Sequence, residues 1–232
     1  MTKQILKLLV IVGIGIGLQA CGDVNPEESC GFVRNGQQQR VSWASSPVRV
    51  YVHKSVPQER WQDIQFAADH WNAVAAMPII QIVSFGVDGN LNPKKDGFNL
   101  VTWHTHWDTT VDANNDGEAD NSKTEQGRTT IHWSKSRIYE SDIIVNADPR
   151  FFRYGAANLP GEHKVVDLAS LMIHEFGHML GLEHNEDHDS VMNSELDYGE
   201  KRGYTLDDNL NMHTDIRAVD INSMACEYEM AQ

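Results

Sequence analysis

Eleven consecutive residues constrain this chain more than any other feature of its 232-residue sequence: His174-Glu175-Phe176-Gly177-His178-Met179-Leu180-Gly181-Leu182-Glu183-His184. A helix-forming run from Asp167 leads into them, so the segment reads as the end of a helix. Residues four apart on a helix lie one turn from each other on one face, which lets His174 and His178 point their imidazoles at the same ion. Glu175 stands one step round from His174, within reach of a water on that ion without joining the coordination sphere, and is placed as a base. Gly181 can take the left-handed conformation that ends a helix and turns the chain back, bringing in His184 as a third ligand. A fourth position then stays open for water, which is the ligand arrangement of a catalytic zinc. The five fixed residues of this pattern would coincide by chance on the order of once in ten thousand such chains. Ordinary surface and core histidines are a poor account of them.

At the amino terminus, Lys3 and Lys7 precede the uncharged apolar run Leu8 to Leu18, which is too short for a stable bilayer anchor and reads as a signal peptide. The run ends in Leu18-Gln19-Ala20-Cys21, which resembles a bacterial lipobox, with Cys21 lipidated and becoming the first mature residue. The alternative is an ordinary secretory signal cut near Ala20 that leaves Cys21 as a thiol. Either way the chain is expected outside the cytoplasm. As a lipoprotein it would meet the membrane through Cys21, on the outer membrane or cell surface, and Gly22 fits outer-membrane sorting. Gly13, Gly15 and Gly17 suggest a dinucleotide loop only superficially, because no strand-turn-helix unit follows them. Removing residues 1–20 leaves 212 residues, enough for one substantial domain. The formal charge of -14 becomes near -16 when Lys3 and Lys7 are lost. Nucleic acid is excluded as a partner on that ground.

Along the mature chain, Pro47 to Val52 has the character of a first strand. Ile64, Ala67, Ala68, Trp71, Val74 and Ala75 recur at helical spacing and predict an amphipathic helix over 57–76, stopped by Pro78. Ile79 to Phe85, Asn99 to Trp103, Thr129 to Trp133 and Ile143 to Val145 read as further strands. Strands and one helix followed by a long helix carrying the chemistry imply an α/β domain with a mixed sheet. The expected division is a signal peptide over 1–20, a lipid-anchored linker and domain start over 21–46, and a catalytic domain over 47–232 that acts as a monomer.

With Cys21 assigned to lipid, Cys30 and Cys226 remain, and in an oxidising compartment pairing them is the economical reading. The rival is a propeptide role for Cys30, holding the metal before activation. A second metal is suggested by Asp112, Asn114, Asp116, Glu118 and Asp120, where oxygen side chains alternate and Gly117 sits sixth, as in the first part of a calcium loop. Lys123 occupies the twelfth position, where such loops carry a bidentate glutamate, and a plain solvated turn is the alternative. His104, His106 and Asp108 could hold a further ion, though a surface histidine pair accounts for them as well.

The extended histidine motif, together with Asp167-Leu168, Asp96-Gly97-Phe98-Asn99-Leu100 ahead of Trp103, and Ser141-Asp142-Ile143 ahead of Asn146, resembles the matrixins of the metzincin metalloproteases. Ser190-Val191-Met192-Asn193 resembles their Met-turn, which would set Met192 beneath the zinc-bound imidazoles. The resemblance implies a zincin fold: a twisted mixed five-stranded sheet, two long helices, and a small C-terminal subdomain with the Met-turn and a last helix. It also implies a zinc endopeptidase in which Glu175 activates the water and an extended polypeptide pairs with the Thr129 to Trp133 strand. The polar loop Glu186 to Asp189 and the stretch Ser194 to Tyr204 depart from the family, which leaves side-chain preference open. The competing function is a catalytically silent, lipid-anchored zinc-binding surface module, and the presence of Glu175 argues against it. A zincin hydrolase acting on a small peptide or a non-peptide bond would share all these residues.

Overall fold

The computed structural model describes residues 30–110, 121–155, 165–196, 200–206 and 212–231. The apolar run Leu8 to Leu18, Cys21 and the five oxygen-bearing residues from Asp112 to Asp120 lie outside the described residues. The first strands are β1 (Ser42–Trp43) and β2 (Val48–His53). In β2 the alternation puts Val48, Val50 and Val52 in the core and leaves Arg49 exposed. A 3-10 turn at Gln58–Arg60 then leads into helix α1 (Trp61–Val74), whose Ile64, Ala67, Ala68, Trp71 and Val74 face the core as the spacing predicts.

The predicted helix over 57–76 is thus shorter at both ends. Pro78 does not set its end. Ala75 is already extended and bridges Met230, while Ala76 N–H donates to Glu229 O and Ala231 N–H to Val74 O. The C-terminal segment supplies the partners that a further helical turn would otherwise have made.

Strands β3 (Ile80–Val87), β4 (Asn99–His104), β5 (Gly127–Ser134) and β6 (Arg137–Asn146) complete the sheet. Its order is β3-β2-β4-β6-β5, parallel throughout except that β5 runs antiparallel to β6. The two-residue β1 adds a parallel pairing at the start of β6, giving six strands where five are expected. A two-residue pairing leaves no periodicity for a sequence reading to find. Strand β6 is also much longer than Ile143 to Val145, because Glu140, Ser141 and Asp142 are buried in it although they are polar. Their partners come from the β3–β4 connection and from β4. Asp142 accepts from Lys94 N–H at 3.1 Å and Leu100 N–H at 2.9 Å, Glu140 from Asp96 N–H at 3.2 Å and Gly97 N–H at 2.5 Å, and Asn99 Oδ1 accepts from Ser141 N–H at 2.8 Å.

The short parallel pair β7 (Arg153–Tyr154) and β8 (Val165–Val166) precedes helix α2 (Leu168–Met179). The Trp71 indole N–H on α1 donates to Ile173 O on α2 at 2.8 Å and fastens the two helices together within one core. After α2 come a hairpin of β9 (Tyr204–Leu206) and β10 (Met212–Thr214) and a last helix α3 (Ala218–Met224). A disulfide joins Cys30 to Cys226, with Cα atoms 6.4 Å apart. The segment after Cys30 is packed rather than loose: Phe32 bridges Leu182, Val33 N–H donates to Gly181 O at 2.9 Å, and Glu183 N–H donates to Gly31 O at 2.7 Å. The segment after Cys30 therefore braces the turn that follows α2.

Candidate metal centre

Helix α2 starts at Asp167, whose carboxylate accepts from Ser170 N–H at 2.9 Å and Ser170 Oγ at 2.8 Å, while Tyr204 OH donates to its other oxygen at 2.9 Å. All twelve residues of the helix are buried. It ends where Gly181 takes φ +105°, and a Cβ there would run into the Val41 carbonyl, so only glycine fits. The chain then turns back and carries His184 to the face that holds His174 and His178.

The three imidazoles converge. Their ring centroids lie 4.5 to 5.3 Å apart, and their ligand atoms all fall within 4.8 Å of one another. Two are oriented by backbone carbonyls: His174 Nδ1 contacts Val191 O at 2.7 Å and His178 Nδ1 contacts Leu182 O at 2.7 Å. These contacts make Nδ1 the protonated nitrogen and leave Nε2 as the lone-pair donor. Nε2 of all three histidines is buried and without a hydrogen-bond partner. Burial holds His178 down to about 3, aided by His184, and burial also holds His174 well below and His184 below the ordinary imidazole range. Three neutral imidazoles aimed at one point fit a borderline-soft divalent cation such as zinc.

Glu175 is fully buried, one oxygen accepting from Thr129 Oγ1 on β5 at 2.5 Å and the other without a partner. Burial pushes its carboxyl up to about 8; the Thr129 hydroxyl opposes that, Glu125 adds to it and Arg128 opposes it. A divalent cation beside it would favour the ionised form. Met192 is 2% exposed, and its thioether fills the space that a Cβ on Gly177 would need. The turn carrying Met192 is held from α3, where the Asp220 carboxylate accepts from Ser190 Oγ at 2.5 Å and from Val191 N–H at 3.1 Å. Asp220 is thus linked through Val191 to His174.

Strand β5 borders this centre, and no other strand among the described residues pairs with its outer side. Asn146 N–H donates to Gln126 O, which fixes the phase of the antiparallel ladder. The backbone groups of Gly127, Thr129 and Ile131 consequently face the free edge.

Of the residues singled out in the sequence, the structure brings His174, His178 and His184 together, with Glu175 on the same helix, Gly181 at its end and Met192 against Gly177. The sequence gives no hint of Thr129 as a partner of Glu175 or of Asp220 behind the Met192 turn, since neither has a local spacing that marks it. Among the described residues, no second group of three metal-ligating side chains comes together. His104 is engaged with Leu91 O at 2.7 Å, and Asp108 accepts from Thr110.

A peptidase family model described as matrixin matches residues 29–219. The chain belongs to the matrixin family. It is by family a metalloprotease, and family and histidine triad together point to zinc. The matrixin has no significant match among curated proteins.

Proposed function

We propose that this matrixin is a zinc-dependent endopeptidase acting on extended polypeptide, with His174, His178 and His184 holding the metal and Glu175 moving the proton. The observation that carries the reading is the set of three buried Nε2 atoms without partners beside a buried, half-partnered glutamate. Buried polar atoms left open are costly, and a bound cation removes that cost. When bound, zinc supplies a positive charge that acidifies water and polarises a carbonyl.

The protein's own groups do the rest. Val191 O and Leu182 O fix the imidazoles, so the ligand atoms need no reorganisation. The Glu175 carboxylate takes a proton from the attacking water and returns it to the leaving amine. The outward backbone groups of Gly127, Thr129 and Ile131 bind the substrate main chain as an added antiparallel strand, which selects unfolded or loop-like segments over folded ones. Met192 serves as the residue of the Met-turn, a soft apolar floor under the imidazoles. Export with a lipid on Cys21 belongs to the same reading; metabolic labelling with a fatty-acid probe should mark the wild type and not Cys21→Ser.

The test is cleavage of unfolded casein by zinc-loaded mature protein. Wild type should cut, whereas Glu175→Gln and a chelated sample should not. Folded, zinc-loaded wild type that cleaves none of a varied set of proteins would leave a silent zinc-binding module instead.

A further inference from the structure

Two residues of β5 treat the two oxygens of Glu175 differently. The Thr129 hydroxyl is 2.5 Å from Oε2 and also 3.1 Å from the Glu175 backbone carbonyl, across 46 positions of sequence. Oε1 is buried and unpartnered. At Gly127, two positions earlier and on the same face of the strand, a Cβ would stand 2.8 Å from Oε1 and 3.2 Å from the carboxyl carbon. One residue therefore grips one oxygen, and the other leaves the second oxygen the room it occupies.

We propose that Thr129 is the positioning residue for Glu175, presenting Oε1 for proton transfer, and that Gly127 is the vacancy Oε1 requires. The inference rests on the endopeptidase reading above. A glutamate side chain has several rotamers open to it, and a base that wanders from its reacting partner loses rate steeply. Thr129 limits that wandering in a way suited to both halves of the reaction. Toward an ionised carboxylate its hydroxyl donates to Oε2. When Oε1 has taken the proton, Oε2 is the carbonyl oxygen of the carboxyl and still accepts from the same hydroxyl. The contact survives the arrival and departure of the proton, so the carboxyl need not reorient between taking it and giving it back. The same strand presents its backbone to substrate, which couples the alignment of the base to the edge where the peptide lies.

The competing view is that Thr129 merely pins β5 to α2. To separate the two, Thr129→Val, which keeps the branched shape and removes the hydroxyl, is compared with Thr129→Ser, which restores it. For each, kcat and KM are measured separately on a fluorogenic peptide, zinc affinity by chelator competition, and the thermal midpoint. Thr129→Val should lose about 10- to 100-fold in kcat, with KM and zinc affinity within about twofold of wild type, and Thr129→Ser should return to within about threefold. Gly127→Ala should lower kcat at least as far, because its methyl displaces Oε1. In crystals of zinc-free Thr129→Val, the Glu175 carboxylate should leave the orientation it has in wild type. A folded, zinc-loaded Thr129→Val with wild-type kcat overturns the inference, as does a loss that Thr129→Ser shares and that follows zinc affinity or the midpoint. Inactive wild type would instead sink the endopeptidase reading itself.

Discussion

Two regions of this molecule bury polar groups, and they treat them in opposite ways. On β6, Glu140 and Asp142 are 2% and 5% exposed, yet backbone N–H groups of Lys94, Asp96, Gly97 and Leu100 meet their carboxylates. At the end of α2, three Nε2 atoms and one carboxylate oxygen are equally hidden and meet nothing. Burial without partners costs stability, so a chain keeps such a cluster only where something other than stability is served. The filled region holds a long connection onto the sheet; the open one has a free ligand set.

The sharpest way to break this contrast is His178→Ala. If the open cluster is the metal site, activity should fall at least about a thousandfold with loss of bound zinc, read by peptide cleavage and metal analysis, while the metal-free protein keeps its thermal midpoint. Glu175→Gln should come next, lowering kcat by about 100- to 10,000-fold with zinc still bound, since it removes the base and not a ligand. Asp142→Ala should do the reverse, costing about 1–3 kcal/mol in denaturant unfolding by stranding the buried Leu100 N–H, with kcat per folded molecule within about twofold. Equal effects of Asp142→Ala and His178→Ala on activity would erase the distinction.

The most gradual effects are in the pH dependence, and there the two regions have opposite signs. Burial pushes the Asp142 carboxyl up to about 7, with Glu140 and Asp96 adding to the shift and the Leu100 and Lys94 N–H groups opposing it. An unfolded aspartate releases its proton near 4, so between about 4 and 7 the folded state binds more protons, and this group's contribution to stability falls as pH rises. The loss is at most about 4 kcal/mol over that window. The histidines are held below 6.5 by burial. Unfolded histidine therefore takes up protons first as pH falls, and the zinc-free protein loses stability below about 6.5, with the His178 contribution extending to about 3. Denaturant midpoints of chelated protein across pH, with Asp142→Asn and His178→Ala each flattening one limb, would separate the two.

Legibility follows the range of the interaction. The histidine spacing, the glycine that ends α2 and the alternation in β2 are local patterns, and a helix or strand period exposes them in sequence. The Thr129 to Glu175 contact spans 46 residues, and Asp220 reaches Ser190 across 30. No period connects such pairs. Strand β6 is hidden for another reason: Glu140 and Asp142 look like surface residues until the β3–β4 connection supplies their donors. The end of α1 is set by Glu229 and Met230, more than 150 positions from Val74. In that case the chain's far end overrides the proline that local reading would credit.

The bridge between Cys30 and Cys226 closes a covalent ring that takes in almost all of the described residues. A peptidase at high concentration is exposed to its own kind, and a single cut anywhere between those two residues would open the ring but release no fragment. Such nicked molecules would migrate as one species on a non-reducing gel and come apart only when the disulfide is reduced. With the ends still tethered, the halves on either side of a nick remain at high effective concentration, so the histidine cluster can persist in a chain that is no longer continuous.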